Sequence, residues 1–315
     1  MATISAKDTS KVFQIQKFLG INESRDGDTQ LKYGEASEMQ NFRVTPQYHL
    51  KVRSGLRTIK AFTGPVRGLW CGYVAGMKKL LCAADGGVWD LTGTPRRIGD
   101  IWDDQTTFFG FDNKVYILNG HEYLFWDGSG GVDTVDGYIP CVVTAASPAG
   151  GGTTLENVNR LTGKRRVRFS ADGTSTEYHL PEKSLLSVDS VLVDGTASTA
   201  YTAAAETGIV TFTEAPAKGN NNVEIYYTVQ NLLRPQVEGM RYAESFNGYT
   251  DTRIFLYGDG SAKTIYCGVT ETGAPSAEYF PDLYEIEIGS SNTPVTGMVK
   301  QYDRLLSFKP DGAYS

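Results

Sequence analysis

Residue types able to do chemistry are present in this chain, but their spacing does not gather them. Its three histidines, His49, His121 and His179, fall in three separate segments. None stands in an HxxxH or HExxH spacing, which would set two ligands on one helical face for a metal. No GxSxG elbow offers a nucleophilic serine. Leu161-Thr162-Gly163-Lys164-Arg165 lacks the upstream glycine of a phosphate-binding loop. Gly128-Ser129-Gly130-Gly131 follows a strand pattern, yet no helical pattern comes after it to hold a dinucleotide, so it reads as a loop. Asp26-Gly27-Asp28 begins like a calcium loop, but Gln30 and Lys32 stand where later ligands belong and the sixth-position glycine is missing. A solvated turn is the expectation there. The expected inventory is therefore no catalytic residue, no cofactor and no metal, and the chain reads as a non-enzyme.

Two further groupings bear weighing. Asp85-Gly86-Gly87-Val88-Trp89 has the outline of the aspartate box of propeller glycosidases. It lacks the Ser/Thr two residues before the Asp, and its aromatic comes one place early. Glycosidases also need two carboxylates at a controlled separation, so the motif is expected to serve as a turn. Lys164-Arg165-Arg166-Val167-Arg168 is the one basic cluster. On an alternating strand Lys164, Arg166 and Arg168 share a face, while Arg165 and Val167 take the other. Such a strand reads as a solvated edge protected by its charges, as a nucleic-acid contact, or as an acidic subunit's docking strip.

The elements that carry these residues are set by a repeat. An apolar strand, a Gly/Asp/Asn break and a second strand recur four times. The copies begin at Leu80, Val115, Arg253 and Arg304, and the last runs to Ser315. Repetition at about 40 residues marks blades or stacked hairpins. The 35 Gly, 18 Tyr and 14 Phe suit an all-β chain, because glycine supplies turns and aromatics fill pleated faces. With 40% hydrophobic residues over 315 positions a core can form, and a formal charge of −6 disfavours a basic nucleic-acid-binding surface. The polar start has no apolar signal core, and no stretch of about 18 apolar residues could span a membrane, so no membrane anchor is expected. Cys71, Cys82, Cys141 and Cys267 show no CxxC spacing; Cys71 and Cys82 could be cross-strand neighbours, but buried thiols of a protein made inside the cell are the expectation.

Composition divides the chain into four parts. Residues 1–60 read as an N-terminal arm and lead-in segment, with one or two helical turns expected from Gly34 to Asn41, where Ala36 and Met39 are three apart. Residues 61–140 hold the first two repeat blocks. Residues 141–235 open on a glycine-rich connector, 147–154, and continue as short alternating strands separated by Asp-Gly and Thr-Gly turns. That pattern predicts an inserted antiparallel β-sandwich. Residues 236–315 resume the repeat. Taking out residues 141–235 leaves Trp126 and Tyr266 about 45 residues apart, close to the spacing elsewhere. The fold class expected is all-β, a propeller-like and incomplete body with an inserted antiparallel β-sandwich.

Against that background the chain resembles a known family. Phe18-Leu19-Gly20-Ile21-Asn22, Gly34-Glu35-Ala36-Ser37-Glu38-Met39-Gln40-Asn41-Phe42 and Arg53-Ser54-Gly55 are similar to the start of tail hub or nozzle proteins of short-tailed bacteriophages, also called the phage stabilisation family. Arg253 to Gly258, Glu278-Tyr279-Phe280-Pro281-Asp282 and Tyr302 to Lys309 follow the same family's blade pattern. Tyr178-His179-Leu180-Pro181, Val193-Asp194-Gly195 and Glu214-Ala215-Pro216 resemble a β-sandwich module recurring in phage virion proteins. The family's chains continue into further blades. The missing strands of the last block would then come from the N-terminal segment or a neighbour, unless the chain is a shortened one.

The resemblance implies a virion protein of the tail or neck, assembled in the host cytoplasm. It would form a six-fold ring of identical copies below the portal, touching portal, adaptor and other tail proteins. DNA would pass through its lumen without specific binding. Phe18, Gly20, Asn22, Glu35, Met39, Asn41, Arg53, Gly55, Tyr279, Phe280 and Pro281 are its structural or interface candidates; Lys164, Arg166 and Arg168 are a candidate basic contact strand. Interfaces are expected on the arm and the insert. Independently of the family, Gly20, Gly34 and Gly55 suit positive φ, and Pro281 forces extended backbone at Phe280. Two rival readings stand beside this one. A carbohydrate-binding or glycan-cleaving propeller could use Trp70, Trp89, Trp102 and Trp126 as a sugar platform, although Trp89 and Trp126 sit at equivalent repeat positions, as core residues do. A distal-tail or baseplate component of a long-tailed phage is the other.

Overall fold

A computed structural model describes residues 14–24, 30–247 and 252–315. The chain is all-β: among the described residues one five-residue helix, Arg234–Glu238, accompanies many strands, and no helix is long and apolar enough to cross a membrane. The strands fall into separate open sheets. Two units are distinguished, Met1–Ile59 and Lys60–Ser315.

In the first unit Gly20–Ile21 pairs in parallel with Glu35–Ala36, and Phe42–Val44 forms a hairpin with Leu50–Val52. The helical turns expected between Gly34 and Asn41 are not formed. Gly34 (φ 96°) and Asn41 (φ 62°) both adopt left-handed backbone, which interrupts a right-handed helix at each end. Between them Glu35 and Ala36 are held as strand, with the N–H of Asn22 donating to the carbonyl of Ala36 at 2.9 Å.

In the second unit each repeat block is part of a larger meander, and the first three blocks are the two central strands of theirs. The first is Val66–Val74, Met77–Ala84, Gly87–Asp90 and Arg96–Asp100, in sequential order. The second is Thr107–Phe111, Lys114–Leu118, Tyr123–Trp126 and Asp133–Thr134. The third is Tyr242–Asn247, Thr252–Tyr257, Lys263–Tyr266 and Glu285–Glu287. The fourth has three strands, Gly297–Gln301, Arg304–Lys309 and Gly312–Tyr314. The first strands run side by side: Val66–Val74 borders Thr107–Phe111, which borders Tyr242–Asn247, which borders Gly297–Gln301.

Alternation along the middle strands explains how these sheets stack. In the second meander Val115, Ile117, Leu124 and Trp126 face a core shared with Leu81, Ala83, Val88 and Ile98 of the first. Their neighbours Tyr116, Leu118 and Tyr123 face a core shared with Ile254, Leu256 and Ile265 of the third. Tyr257 of the third meander then packs on Val295 and Met298 beside and within the fourth. Period-2 alternation between two apolar sets puts every second residue into each core.

Residues 141–229 form two further sheets around one core. A six-stranded sheet is ordered Thr153–Thr154, Cys141–Ala146, Lys164–Phe169, Val223–Thr228, Ser187–Val193, Thr196–Ser198; a three-stranded sheet is ordered Glu177–His179, Ile209–Phe212, Tyr201–Ala204. Phe169, Ile225 and Tyr227 of the first meet Tyr178, Val210 and Phe212 of the second. Three expectations are corrected here. Cys141–Ala146 and Lys164–Phe169 run parallel, because the long connection between them lets the chain return in the same direction. Residues 147–154 are a hairpin within the sheet rather than a connector, with positive φ at Gly150, Gly151 and Gly152 turning Thr153–Thr154 back onto Val143 and Thr144. Lys164–Phe169 is paired on both sides, so the basic strand is interior and not an edge.

Candidate functional site

The expected basic strip is the centre of a charged cluster. Because Arg166 and Arg168 lie two residues apart, both leave the sheet on the face opposite Val167 and Phe169, which are buried in the core. The antiparallel neighbour places Glu224 opposite Arg168 and two residues along, on the same face, from Tyr226, the partner of Arg166. Glu224 Oε1 accepts from Arg166 Nη1 at 2.8 Å and from Arg168 Nε at 3.0 Å. A second carboxylate, Glu271, comes from the loop after the third meander's Lys263–Tyr266. It accepts from Arg166 Nη2 at 2.6 Å and from both terminal nitrogens of Arg168. The Tyr138 hydroxyl donates to Glu156 at 3.1 Å and accepts from the backbone N–H of Glu271 at 3.4 Å. Arg166 is 13% and Glu224 17% exposed, so the pairs are largely shielded from water. The hydrogen bonds from Arg168, followed by the field of both guanidinium groups, hold the Glu271 carboxyl below the usual glutamate range against the opposing cost of burial. Lys164, the third member of the strip, is exposed and stays outside the cluster.

A second centre adjoins it, built on two residues that the sequence did not single out. Asn159 is 2% exposed, and its amide makes every hydrogen bond its geometry favours. Nδ2 donates to the carbonyls of Tyr138 and Glu278, each at 2.8 Å, while Oδ1 accepts from the N–H of Phe280 at 3.0 Å and of Leu161 at 3.2 Å. Arg160, 3% exposed, donates to the carbonyls of Pro281 and Asp282, to Gln236 and, at 2.9 Å, to Glu285 Oε2. Phe280 is fully buried, with its ring edge-on to Tyr123 at 5.9 Å. The Tyr279 hydroxyl donates to the carbonyl of Asn157 at 2.8 Å, and Pro281 bridges to Asn159. Lys114 Nζ and the Tyr116 hydroxyl meet Glu278 Oε1 at 2.6 and 3.2 Å. The segment from Glu278 to Glu285 is thus gripped by the second meander on one side and by residues 155–163 on the other. Tyr279, Phe280 and Pro281 act inside the chain.

In the first unit the candidates form two pairs. Asn22 Nδ2 donates to Glu35 Oε2 at 3.0 Å, and the Asn41 carbonyl accepts from the N–H of Arg53 at 2.7 Å. Phe18, Gly20 and Met39 line a hollow of about 300 Å³ with Phe42 and Leu50. Gly20 and Gly34 have the positive φ expected of them; Gly55 does not, and a Cβ there would meet nothing.

The remaining groupings are dispersed. His49 and His179 stand on different elements from His121, whose ring stacks on Trp102 at 4.7 Å with Nε2 3.4 Å from Asp104. The Asp104 carboxyl is held down to about 2, first by the N–H of Gln105 and then by Arg241. Asp85 caps the backbone N–H groups of Thr63 and Gly64 at 3.0 and 2.7 Å, the work of a turn residue. Trp126 is buried, Trp70 and Trp89 are half-buried, and Trp102 is 60% exposed. Asp26-Gly27-Asp28 lies outside the described residues. Among the described residues no group of three or more His, Cys, Asp or Glu side chains is placed to hold a metal ion.

A carboxylate gripped by two guanidinium groups is a poor proton donor near neutral pH, and a saturated amide has no capacity left for a ligand. This arrangement fastens backbone to backbone. No family model matches the chain, and no curated protein matches it.

Proposed function

We propose that this chain is a structural virion protein of a tailed bacteriophage, a hub or nozzle component of the tail neck in the phage stabilisation family. In this reading the four meanders are blades of an open propeller and residues 141–235 are an inserted β-sandwich. The observation that carries it is the fate of the conspicuous polar residues. Arg166, Arg168, Glu224, Glu271, Asn159 and Arg160 are all engaged in internal fastening, as a part that carries mechanical load requires. Residue order from Phe18 to Lys309 supplies the family.

The working form is a ring of identical copies, six by resemblance, below the portal. It contacts portal, adaptor and other tail proteins, and its lumen continues the DNA channel and retains the packaged genome. DNA slides through without specific contacts, consistent with a formal charge of −6. The test is electron microscopy of virions with an antibody against this chain, together with mass measurement of the purified protein mixed with portal and adaptor. Label at the neck and a ring-sized mass are expected. A strict monomer in that mixture, or label away from the tail, rejects the reading.

One observation favours a second reading. Trp102, exposed and backed by His121 beside Asp104, is the kind of flat aromatic on which a sugar ring stacks. A glycan array separates the two: binding abolished by Trp102→Ala would favour a carbohydrate-binding propeller over a neck component.

A further inference from the structure

The contacts between successive meanders are built from equivalent residues. Ile117, Leu256 and Ser307 each pair with the second residue of their meander's first strand, which is Phe108, Ala243 and Met298 in turn. Ile117 and Leu256 face the preceding meander. Ser307 shares the face of Leu305, two residues back, which packs toward the third meander. From the opposite side come Val88, Tyr123 and Thr264, each one residue before a paired third-strand residue: Trp89, Leu124 and Ile265. Val88 and Ile117 share the first core, and Tyr123 and Leu256 the second, all four fully buried. In the third contact those places are taken by Thr264 and Ser307. Two hydroxyl side chains stand where the repeat puts apolar ones.

The consequence is a hollow of about 660 Å³ between the third and fourth meanders. It lies within the roughly 300–1,000 Å³ range of small-molecule sites. Phe246, Phe255, Ile286 and Ile288 wall it on one side, and Leu305 and Tyr314 on the other. Its charged lining residues, Glu287, Asp303 and Arg304, are exposed, so charge stays at the opening. Thr264 and Ser307 line the interior, 0% and 4% exposed. The Thr264 hydroxyl reaches two acceptors, the Leu256 carbonyl at 3.3 Å and Met298 Sδ at 3.4 Å, so its proton is committed and an oxygen lone pair is left over. Among the described residues the Ser307 hydroxyl has no hydrogen-bond partner. A core that forgoes close packing and leaves a buried hydroxyl unpaired loses stability, and such departures collect at functional sites.

We propose that this hollow binds a small, neutral, apolar molecule carrying one hydroxyl group. The apolar walls take its body, and the exposed charges leave no counter-ion inside for an ionised head. Its hydroxyl donates to the free lone pair of Thr264 and accepts from Ser307, which completes both. The site stands on the broken repeat and is independent of the virion role proposed above.

Isothermal titration calorimetry of the full chain with naphthol, naphthalene and naphthalenesulfonate tests it. Naphthol is expected to bind saturably at one site, naphthalene about tenfold more weakly for want of the hydroxyl, and the sulfonate not measurably. Ser307→Leu restores the residue type of the other contacts, and should abolish naphthol binding while circular dichroism stays that of wild type. Thr264→Val, which keeps the shape and removes the acceptor, should weaken naphthol about tenfold and leave naphthalene unchanged. Should Ser307→Leu unfold, amide exchange on wild type serves instead: naphthol should slow Ile286, Ile288 and Leu306. The proposal is overturned if naphthol does not bind saturably, if Ser307→Leu binds it like wild type, if naphthalene or the sulfonate binds as tightly, or if the slowed amides lie elsewhere.

Discussion

Asn159 shows how much one side chain holds. Its four hydrogen bonds reach the backbones of Tyr138, Leu161, Glu278 and Phe280. Asn159→Ala is expected to cost about 2–4 kcal/mol in urea unfolding, since buried backbone donors and acceptors lose their partners. Asn159→Asp should be no milder, because a carboxylate oxygen would face two carbonyls; a change under about 0.5 kcal/mol in both would contradict this account. Glu271 makes a pH-dependent contribution. Its folded acidity is increased, so its stabilisation is present above the ordinary glutamate value of 4.5 and is lost as pH falls through the lower folded value. Glu271→Gln should lower stability by about 1–2 kcal/mol at pH 7, and the deficit should shrink as pH falls below the ordinary glutamate value and wild type takes up its proton. Thermal unfolding of both proteins from pH 7 to 3 reads the crossover. The shared face of Arg166 and Arg168 was legible in the sequence from strand parity alone. Their partners were not, since Glu224 and Glu271 lie 58 and 105 residues from Arg166. Asn159 was missed for the same reason: it bonds Glu278 and Phe280, 119 and 121 residues away.

Elements followed local pattern where the pattern was repeated and departed from it where a single residue set the backbone. The apolar runs at Leu80, Val115, Arg253 and Arg304 are strands, each an apolar stretch closed by a Gly, Asp or Asn turn. The spacing of Ala36 and Met39 pointed to a helix, but Gly34 and Asn41 sit at positive φ and backbone pairing with Gly20 and Ile21 takes over. Gly34→Ala tests that explanation. An added Cβ would stand 2.3 Å from the carbonyl oxygen of Lys17, on a backbone already unsuited to alanine. Amide hydrogen exchange at Leu19 and Asn22, whose N–H groups donate to Gly34 and Ala36, should accelerate by about tenfold or more. Unchanged protection would mean that the ladder does not depend on this turn. The Lys164–Phe169 strand departs differently. Its charges suggested an edge, yet it lies between two strands because Glu224 and Glu271 neutralise the face it presents.

Across the whole molecule, the Glu278–Glu285 segment ties the second meander, the third meander and residues 155–163 together. Phe280→Ala should therefore destabilise the second unit by about 3–5 kcal/mol, the usual cost of emptying a buried aromatic site. One cooperative transition by both fluorescence and circular dichroism is expected in wild type, and separated transitions in the variant would show that this residue couples the parts. The surface makes a second prediction. With a formal charge of −6, duplex DNA should bind no more tightly than about 10⁻⁴ M in fluorescence anisotropy at physiological salt; micromolar binding would contradict a lumen through which DNA slides. What the sequence by itself determined was the all-β class, the four repeat blocks and the shared face of Arg166 and Arg168, because turn chemistry and period-2 alternation act over a few residues. What only the tertiary structure decided was which carboxylates meet Arg166 and Arg168, and that Asn159 and Arg160 clamp Phe280 and Pro281. Those outcomes depend on contacts between residues far apart in the chain, and local spacing carries no record of them.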